Sequence, residues 1–300
     1  MSNKLSKIVL GKEFKNPIIL ASGTINFGRE LSELYPLSKV GGMVCKGLTR
    51  EPRLGNPPAR IAETSSGIIN SIGLQNPGVD AFIRDELEFF TSQGNVGIAN
   101  VCGNTTEDYQ EVARRISETN IDLIELNISC PNVKEGGMSF GVKPEFTEKI
   151  VRDVKPYCKQ PLIVKLTPNV SNIAEIAKAA EQGGADAISL INTLAAMAID
   201  DDAPVLANRM GGLSGPAIKP IALKMTNDVY KAVKIPVIGM GGISNCKDVR
   251  DFMWCGASLV QAGTINMTNP LAVPKMVDDL QQYFEDKNIK NTDEIIGQLR

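Results

Sequence analysis

The chain has 300 residues, 43% hydrophobic and 22% charged, and 32 Lys+Arg against 34 Asp+Glu leave a net charge of −2. This balance allows a large globular core and argues against an electrostatic nucleic-acid binder, which carries a basic face or stripe. It contains no run of about 18 apolar residues that would cross a membrane, and the N-terminal MSNKLSKIVLGKEF has no apolar signal-peptide segment, so a cytoplasmic protein is expected.

In chain order, residues 4–15 are expected to form a hairpin ahead of the main fold, across its bottom. Short apolar runs then recur: NPIILASG (16–23), GGMVCKG (41–47), NVGIANVCG (95–103), IDLIELNIS (121–129), PLIVKLTP (161–168), ADAISLINT (185–193), IPVIGMGG (235–242) and ASLVQAGT (257–264). Each has the length of a strand buried on both faces and ends in Gly, Ser, Thr, Asn or Pro. Helical patterns lie between them. EDYQEVARRISE (107–118) and SNIAEIAKAAEQGG (171–184) are the clearest, the second opening on a Ser171 or Asn172 cap and closing on Gly183 and Gly184. PEFTEKIVRDVK (144–155), PIALKMTNDVYKAV (220–233) and PLAVPKMVDDLQQYFEDK (270–287) each begin with proline in a first-turn position. Strand alternating with helix implies a parallel sheet, and eight repeats imply closure into a (β/α)8 TIM barrel, one domain over residues 1–300. An open doubly wound sheet is the alternative. Connections 48–77, 131–143 and 194–219 are too long for simple turns and read as binding loops or lids without regular structure.

Active sites of such barrels lie at the C-terminal ends of the strands, and these ends are polar. In order they carry Ser22, Lys46, Asn100, Asn127, Lys165, Asn192 with Thr193, Gly241 with Gly242, and Gly263 with Thr264. Polar residues also end strands merely as turns and caps. Lys46 and Lys165 carry more weight, because a lysine inside an apolar run needs a partner for its ammonium; both are expected to face one polar pocket. The glycines ending the last two strands, with GGLSGPAIKP (211–220), suit a single phosphate held by backbone N–H groups. GMGGIS is weak as a dinucleotide fingerprint, having no acidic ribose partner. Flavin mononucleotide is the leading cofactor, with a lysine beside its pyrimidine edge to stabilise the reduced ring.

Histidine is absent, so proton transfer falls to Cys, Lys, Tyr, Asp, Glu or water. Of the six cysteines, none in C-x-x-C spacing, Cys158, Cys246 and Cys255 read as packing, as do Cys45 and Cys102. They are expected to be reduced thiols with no zinc or iron–sulfur pattern. Cys130 differs by position. It ends IELNISC, in which Ile124, Leu126 and Ile128 alternate with Glu125, Asn127 and Ser129, and Pro131 turns the chain away. General base, redox thiol and inert packing are all open for it.

The segments NSIGLQNPG (70–78), ELNISCPN (125–132), VKLTPN (164–169), INT (191–193), GGLSGPAIKP (211–220) and GMGGIS (239–244) together resemble the class 1 dihydroorotate dehydrogenases, from about Asn16 to the C-terminal helix. NISCPNVKEGG and GLQNPGVDAF look more like subclass 1B, the catalytic subunit of the NAD-dependent enzyme, than the fumarate-using subclass 1A. The resemblance implies oxidation of (S)-dihydroorotate to orotate in pyrimidine biosynthesis, with FMN taking hydride and Cys130 taking the proton. It places substrate contacts on Lys46, Asn70, Ser71, Ile72, Gly73, Leu74, Asn127, Asn132, Asn192 and Thr193. It places FMN contacts on Ser22, Lys46, Gly47, Asn100, Asn127, Lys165, Ile191, Gly215, Gly241, Gly242, Gly263 and Thr264. It also implies a partner subunit with FAD and a 2Fe–2S cluster, around a homodimer of this chain in a heterotetramer, and no nucleic-acid or membrane partner. AGTINMTNP after the last strand departs from the family pattern, and residues 194–210 are slightly shorter than typical. A dihydropyrimidine dehydrogenase-like flavin subunit and a non-catalytic flavin- or phosphate-binding barrel are the remaining alternatives.

Overall fold

The computed structural model describes residues 3–129 and 140–299. Eight strands form a closed barrel: β1 (Ile18–Leu20), β2 (Gly42–Val44), β3 (Val96–Val101), β4 (Leu123–Asn127), β5 (Leu162–Lys165), β6 (Ala187–Leu190), β7 (Val237–Met240) and β8 (Leu259–Ala262). Every neighbouring pair is parallel, and β8 closes onto β1 through Gln261 opposite Ile19. Strands buried on both faces explain the unbroken apolar runs. On β4 and just beyond it, Ile124, Leu126 and Ile128 pack outward into the layer under the helices, while Leu123 belongs to the barrel interior.

The N-terminal hairpin forms as expected, Lys7–Val9 pairing antiparallel with Lys12–Phe14. Val9 and the fully buried Phe14 pack against Ile19, Val44, Ile98 and Ile163, filling the bottom of the barrel. At the helices, the Asn172 side chain accepts from the Ala174 N–H, so Asn172 rather than Ser171 caps Ile173–Gln182. The helix Thr106–Ser117 is capped by Thr105 and buries Tyr109, Val112 and Ile116. Pro144 opens Pro144–Val154, and Lys219–Ala232 begins one residue before Pro220. The last long helix, Ala272–Asp286, starts beyond Pro270, so that proline lies outside it.

The expectation that 48–77 and 194–219 lack regular structure is overturned. They supply the four strands of one antiparallel sheet, in the order Leu194–Ala196, Gly211–Ser214, Gly67–Asn70, Ile61–Thr64. Gly212 lies opposite Asn70 on one side and Ala195 on the other. Ala62, Ile69 and Leu206 form a small core of their own there, and burial of these apolar side chains against one another holds the two loops together.

Candidate active site

The polar site follows from the period of two along a strand. Ile98, Leu123, Ile163, Ala187 and Leu259 face the barrel interior, so the residues two positions on, Asn100, Glu125, Lys165, Ser189 and Gln261, face it one layer higher. All are buried, Glu125 and Asn100 at 0% exposure. Glu125 Oε1 accepts from Asn100 Nδ2 at 2.7 Å, and Oε2 accepts from Ser189 Oγ at 2.9 Å and Gln261 Nε2 at 2.7 Å. Lys165 Nζ stands 3.9 Å from Glu125 Oε1 and donates no hydrogen bond among the described residues.

Above that layer Asn100 Oδ1 accepts from Asn127 Nδ2 at 3.2 Å and from the Cys102 thiol at 3.3 Å. Asn127 Oδ1 accepts from the Ser129 N–H at 3.3 Å and hydroxyl at 2.5 Å. Asn192 Nδ2 donates to Ser129 Oγ, and Asn192 Oδ1 accepts from the Thr193 N–H at 2.9 Å. The buried Tyr109 hydroxyl, from the helix Thr106–Ser117, donates to the Asn127 carbonyl at 2.9 Å and fixes the main chain at the end of β4.

Lys46 sits two residues beyond the interior-facing Val44 and is half-buried. Burial pushes its ammonium below the ordinary lysine value; nearby Cys102 opposes this, and the positive charge of Lys165 adds to it. The two lysine charges therefore lie close enough to act on each other. Next to Lys46 the backbone runs close to its neighbours: a Cβ on Gly47 would lie 2.8 Å from Cys102 Sγ, 2.9 Å from Asn100 Oδ1 and 3.0 Å from Leu74 Cδ1. Leu74 reaches that point through a left-handed turn, with φ of 75° at Gly73 and 57° at Leu74. Asn70 Nδ2 donates to the Gly212 carbonyl at 3.3 Å, Ser71 Oγ accepts from Asn56 and Asn208, and the Ile72 carbonyl accepts from the Asn56 N–H. Ser22 Oγ donates to the Cys45 carbonyl at 2.6 Å, joining the ends of β1 and β2.

The glycines after β7 meet the loop 211–220. Gly242 has φ of 75°, and a Cβ there would lie 2.8 Å from the Gly215 carbonyl and 3.1 Å from Lys219 N. A Cβ on Gly241 would meet Ala222 at 2.8 Å and Ile191 at 3.4 Å, whereas Gly263 is open to 3.6 Å. Thr264 Oγ1 donates to Ser214 Oγ at 2.8 Å, tying the end of β8 to the same loop.

Cys130 and Asn132 lie outside the described residues. Burial pushes the Cys45 and Cys158 thiols up to about 12 and raises those of Cys246 and Cys255, which fits packing. Cys102 is buried too, but donates to Asn100 within the polar layer. Among the described residues no group of three or more His, Cys, Asp or Glu could hold a metal ion. Sequence reasoning assigned no role to Glu125, Ser129, Ser189, Gln261 or Tyr109. Two-residue spacing from an interior apolar side chain would have found three of them: Glu125, Ser189 and Gln261.

The sequence profile of dihydroorotate dehydrogenase matches residues 4–284. The chain belongs to the dihydroorotate dehydrogenase family. Among curated relatives, the catalytic subunit of dihydroorotate dehydrogenase B (NAD(+)) from Alkaliphilus oremlandii (strain OhILAs) is 52% identical over 293 residues, covering 97% of each chain. The subunits of the same name from Petrotoga mobilis and Thermoanaerobacter pseudethanolicus are each 51% identical, over 96% and 97% of this chain and 97% of theirs. The polar layer of this chain lies toward the C-terminal ends of the strands, where (β/α)8 enzymes carry their chemistry.

Proposed function

We propose that the chain is the catalytic subunit of an NAD-dependent dihydroorotate dehydrogenase, oxidising (S)-dihydroorotate to orotate in pyrimidine biosynthesis. The observation that carries this reading is the ladder of amides and hydroxyls at the ends of β3, β4 and β6 beside Lys46. Orotate is a planar anion with amide-like edges, and asparagine offers both a donor and an acceptor without titrating. Lys46 pairs with the substrate carboxylate, its charge costly to bury until that partner arrives. Asn70, Ser71, Ile72, Gly73, Leu74, Asn127, Asn132, Asn192 and Thr193 hold the ring, an orientation effect above all.

The residues fit flavin mononucleotide. Gly215, Gly241 and Gly242 leave no room for a Cβ and bring the backbone close where a phosphate binds, with Gly263 and Thr264 beside them. Ser22, Lys46, Gly47, Asn100, Asn127 and Ile191 would hold the ring system, and Lys165, whose side chain makes no hydrogen bond among the described residues, would supply a positive charge to stabilise the reduced ring. When bound, the flavin supplies the acceptor for the hydride leaving C6 of the substrate. Cys130, directly after Ser129, takes the proton from C5 as a thiolate, a role open to a thiol of ordinary pKa of roughly 8.5. A partner subunit carrying FAD and a 2Fe–2S cluster would supply the route for electrons to NAD, bound to a homodimer of this chain in a cytoplasmic heterotetramer. The relatives named as NAD(+) enzymes support NAD over fumarate, and no helix among the described residues is long and apolar enough to cross a membrane.

The test is to purify the chain alone and with a co-expressed partner subunit. The chain alone is expected to be yellow and to shift its flavin spectrum with orotate; the complex is expected to reduce NAD with dihydroorotate. A colourless chain refutes the flavin reading. Turnover with fumarate but not NAD refutes the acceptor.

A further inference from the structure

Glu125 is a carboxylate at 0% exposure inside the barrel, and the reaction described above gives it nothing to do. Asn100 Nδ2, Ser189 Oγ and Gln261 Nε2 all donate to it, and it faces Lys165. Each of its two oxygens therefore faces an amide nitrogen, a group that can only donate, so the carboxylate is the acceptor of the cluster.

A group that only accepts imposes a direction on whatever is bonded to it. Asn100 must turn its Nδ2 downward to Glu125, so its Oδ1 points up. That oxygen receives Asn127 Nδ2, so Asn127 Oδ1 is left for Ser129, whose N–H and hydroxyl both donate to it. With its proton committed there, Ser129 Oγ accepts from Asn192 Nδ2, and Asn192 Oδ1 takes the Thr193 N–H. Every link has one donor and one acceptor, and none is frustrated. The chain runs from β4 through β3 and back across the mouth to the end of β6. Hydrogen bonds in such a series polarise one another, and one reversed amide sets donor against donor at the next link.

We propose that Glu125 is a positioning residue whose carboxylate sets the direction of the hydrogen-bond chain Asn100–Asn127–Ser129–Asn192, and thereby which edge of Asn127 and Asn192 is offered to the substrate. The statement about substrate rests on the dihydroorotate reading; the statement about direction does not. Gln261 fits the same scheme. Its Nε2 is spent on Glu125, and its Oε1 is buried without a partner among the described residues, so the side chain is held for its donor alone.

The test exchanges acceptor and donor. Glu125→Gln places an amide N–H against the donors now facing the carboxylate. Asn100→Asp places two carboxylates face to face. In the double variant E125Q/N100D, the introduced glutamine donates to the introduced aspartate, and the glutamine oxygen accepts from Ser189 and Gln261. The second aspartate oxygen still accepts from Asn127. The first link is reversed, but the direction of every link beyond position 100 and the net charge are both kept. Thermal midpoints of the flavin-loaded full chain, which need no substrate, are expected to fall in each single variant and recover in the double. Orotate affinity, read from the flavin spectrum, is expected to weaken about tenfold or more in Glu125→Gln, the scale of one mismatched buried polar group, and most of that loss should return in the double. A double variant no better than the sum of the singles overturns the proposal, as does failure of the double to fold, because every donor in it meets an acceptor. Unchanged orotate affinity in a folded Glu125→Gln overturns the positioning role. A wild-type chain that does not respond to orotate refutes the substrate reading, while the midpoints still decide the direction of the chain.

Discussion

Gly212→Ala tests whether the sheet built from the two loops holds the substrate residues. Gly212 is bound to no proposed ligand, yet a Cβ there would lie 1.9 Å from Thr193 Oγ1, 2.5 Å from Thr193 Cβ and 3.3 Å from its Cγ2. Rotating the threonine side chain moves Oγ1 and Cγ2 but leaves Cβ where it is. Carbon–carbon contacts settle near 3.5–4.0 Å, so the backbone must part by about 1 Å. Overpacking of this kind costs about 1–3 kcal/mol, which lowers the melting temperature of a chain this size by about 2–5 °C. A misplacement of about 1 Å at a positioning residue costs up to roughly 10²-fold in turnover, so orotate affinity and turnover should both drop while flavin stays bound. Thr193→Gly removes the atoms that the added methyl group strikes. Melting of the wild type, both single variants and the double should give a coupling energy of about 1–3 kcal/mol. Additivity within about 0.5 kcal/mol, or a Gly212→Ala chain that binds orotate like the wild type, would refute the reasoning.

Variants at three further positions probe the rest of the site. Cys130→Ala should retain flavin and orotate binding but lose dihydroorotate oxidation by about 10²–10⁴-fold near neutral pH; turnover like the wild type's would remove the thiol from the mechanism. Lys46→Ala should weaken orotate binding. Since burial holds the Lys46 ammonium below its ordinary 10.5, affinity in the wild type should fade as pH rises through that lowered value, and affinity constant up to pH 10.5 would contradict it. The sign for stability is opposite to that of a paired lysine: the buried charge is a cost at neutral pH that is relieved as pH rises, so Lys46→Met should raise the melting temperature of the ligand-free chain. Gly242→Ala adds a side chain at φ of 75° and 2.8 Å from the Gly215 carbonyl; it should lose bound flavin, measured as the ratio of visible to ultraviolet absorbance, and full retention would argue against a phosphate at that turn.

The barrel was legible because its strands are buried on both faces, which leaves runs such as LIVK and AISL with nothing to interrupt them. The polar strand ends were legible for the complementary reason, since Lys46 and Lys165 have no place in an apolar run unless they face a pocket. Glu125 was not, because a charged residue alternating with Ile124 and Leu126 reads as an outward position of a half-buried strand. Only the closed barrel, which makes both faces interior, reverses that. The loop sheet left no pattern either. Its strands are three or four residues long, and Gly211–Ser214 is half glycine and half-buried throughout. Pairing between residues 142 positions apart, as between Asn70 and Gly212, is a tertiary contact with no local signature. The residues on which the chemistry was read most directly, Cys130 and Asn132, fall outside the described residues.

The four-stranded sheet has a consequence for how this site can be altered. Gly211–Ser214 takes one neighbour from the connection after β2 and the other from the connection after β6, so the two segments form a single structural unit. Transplanting either one from a relative would strip a strand of its pairing and expose an open edge to other chains. Exchange of substrate preference between members of this fold therefore calls for both segments together, with Gly212 and Thr193 exchanged or kept as a matched pair.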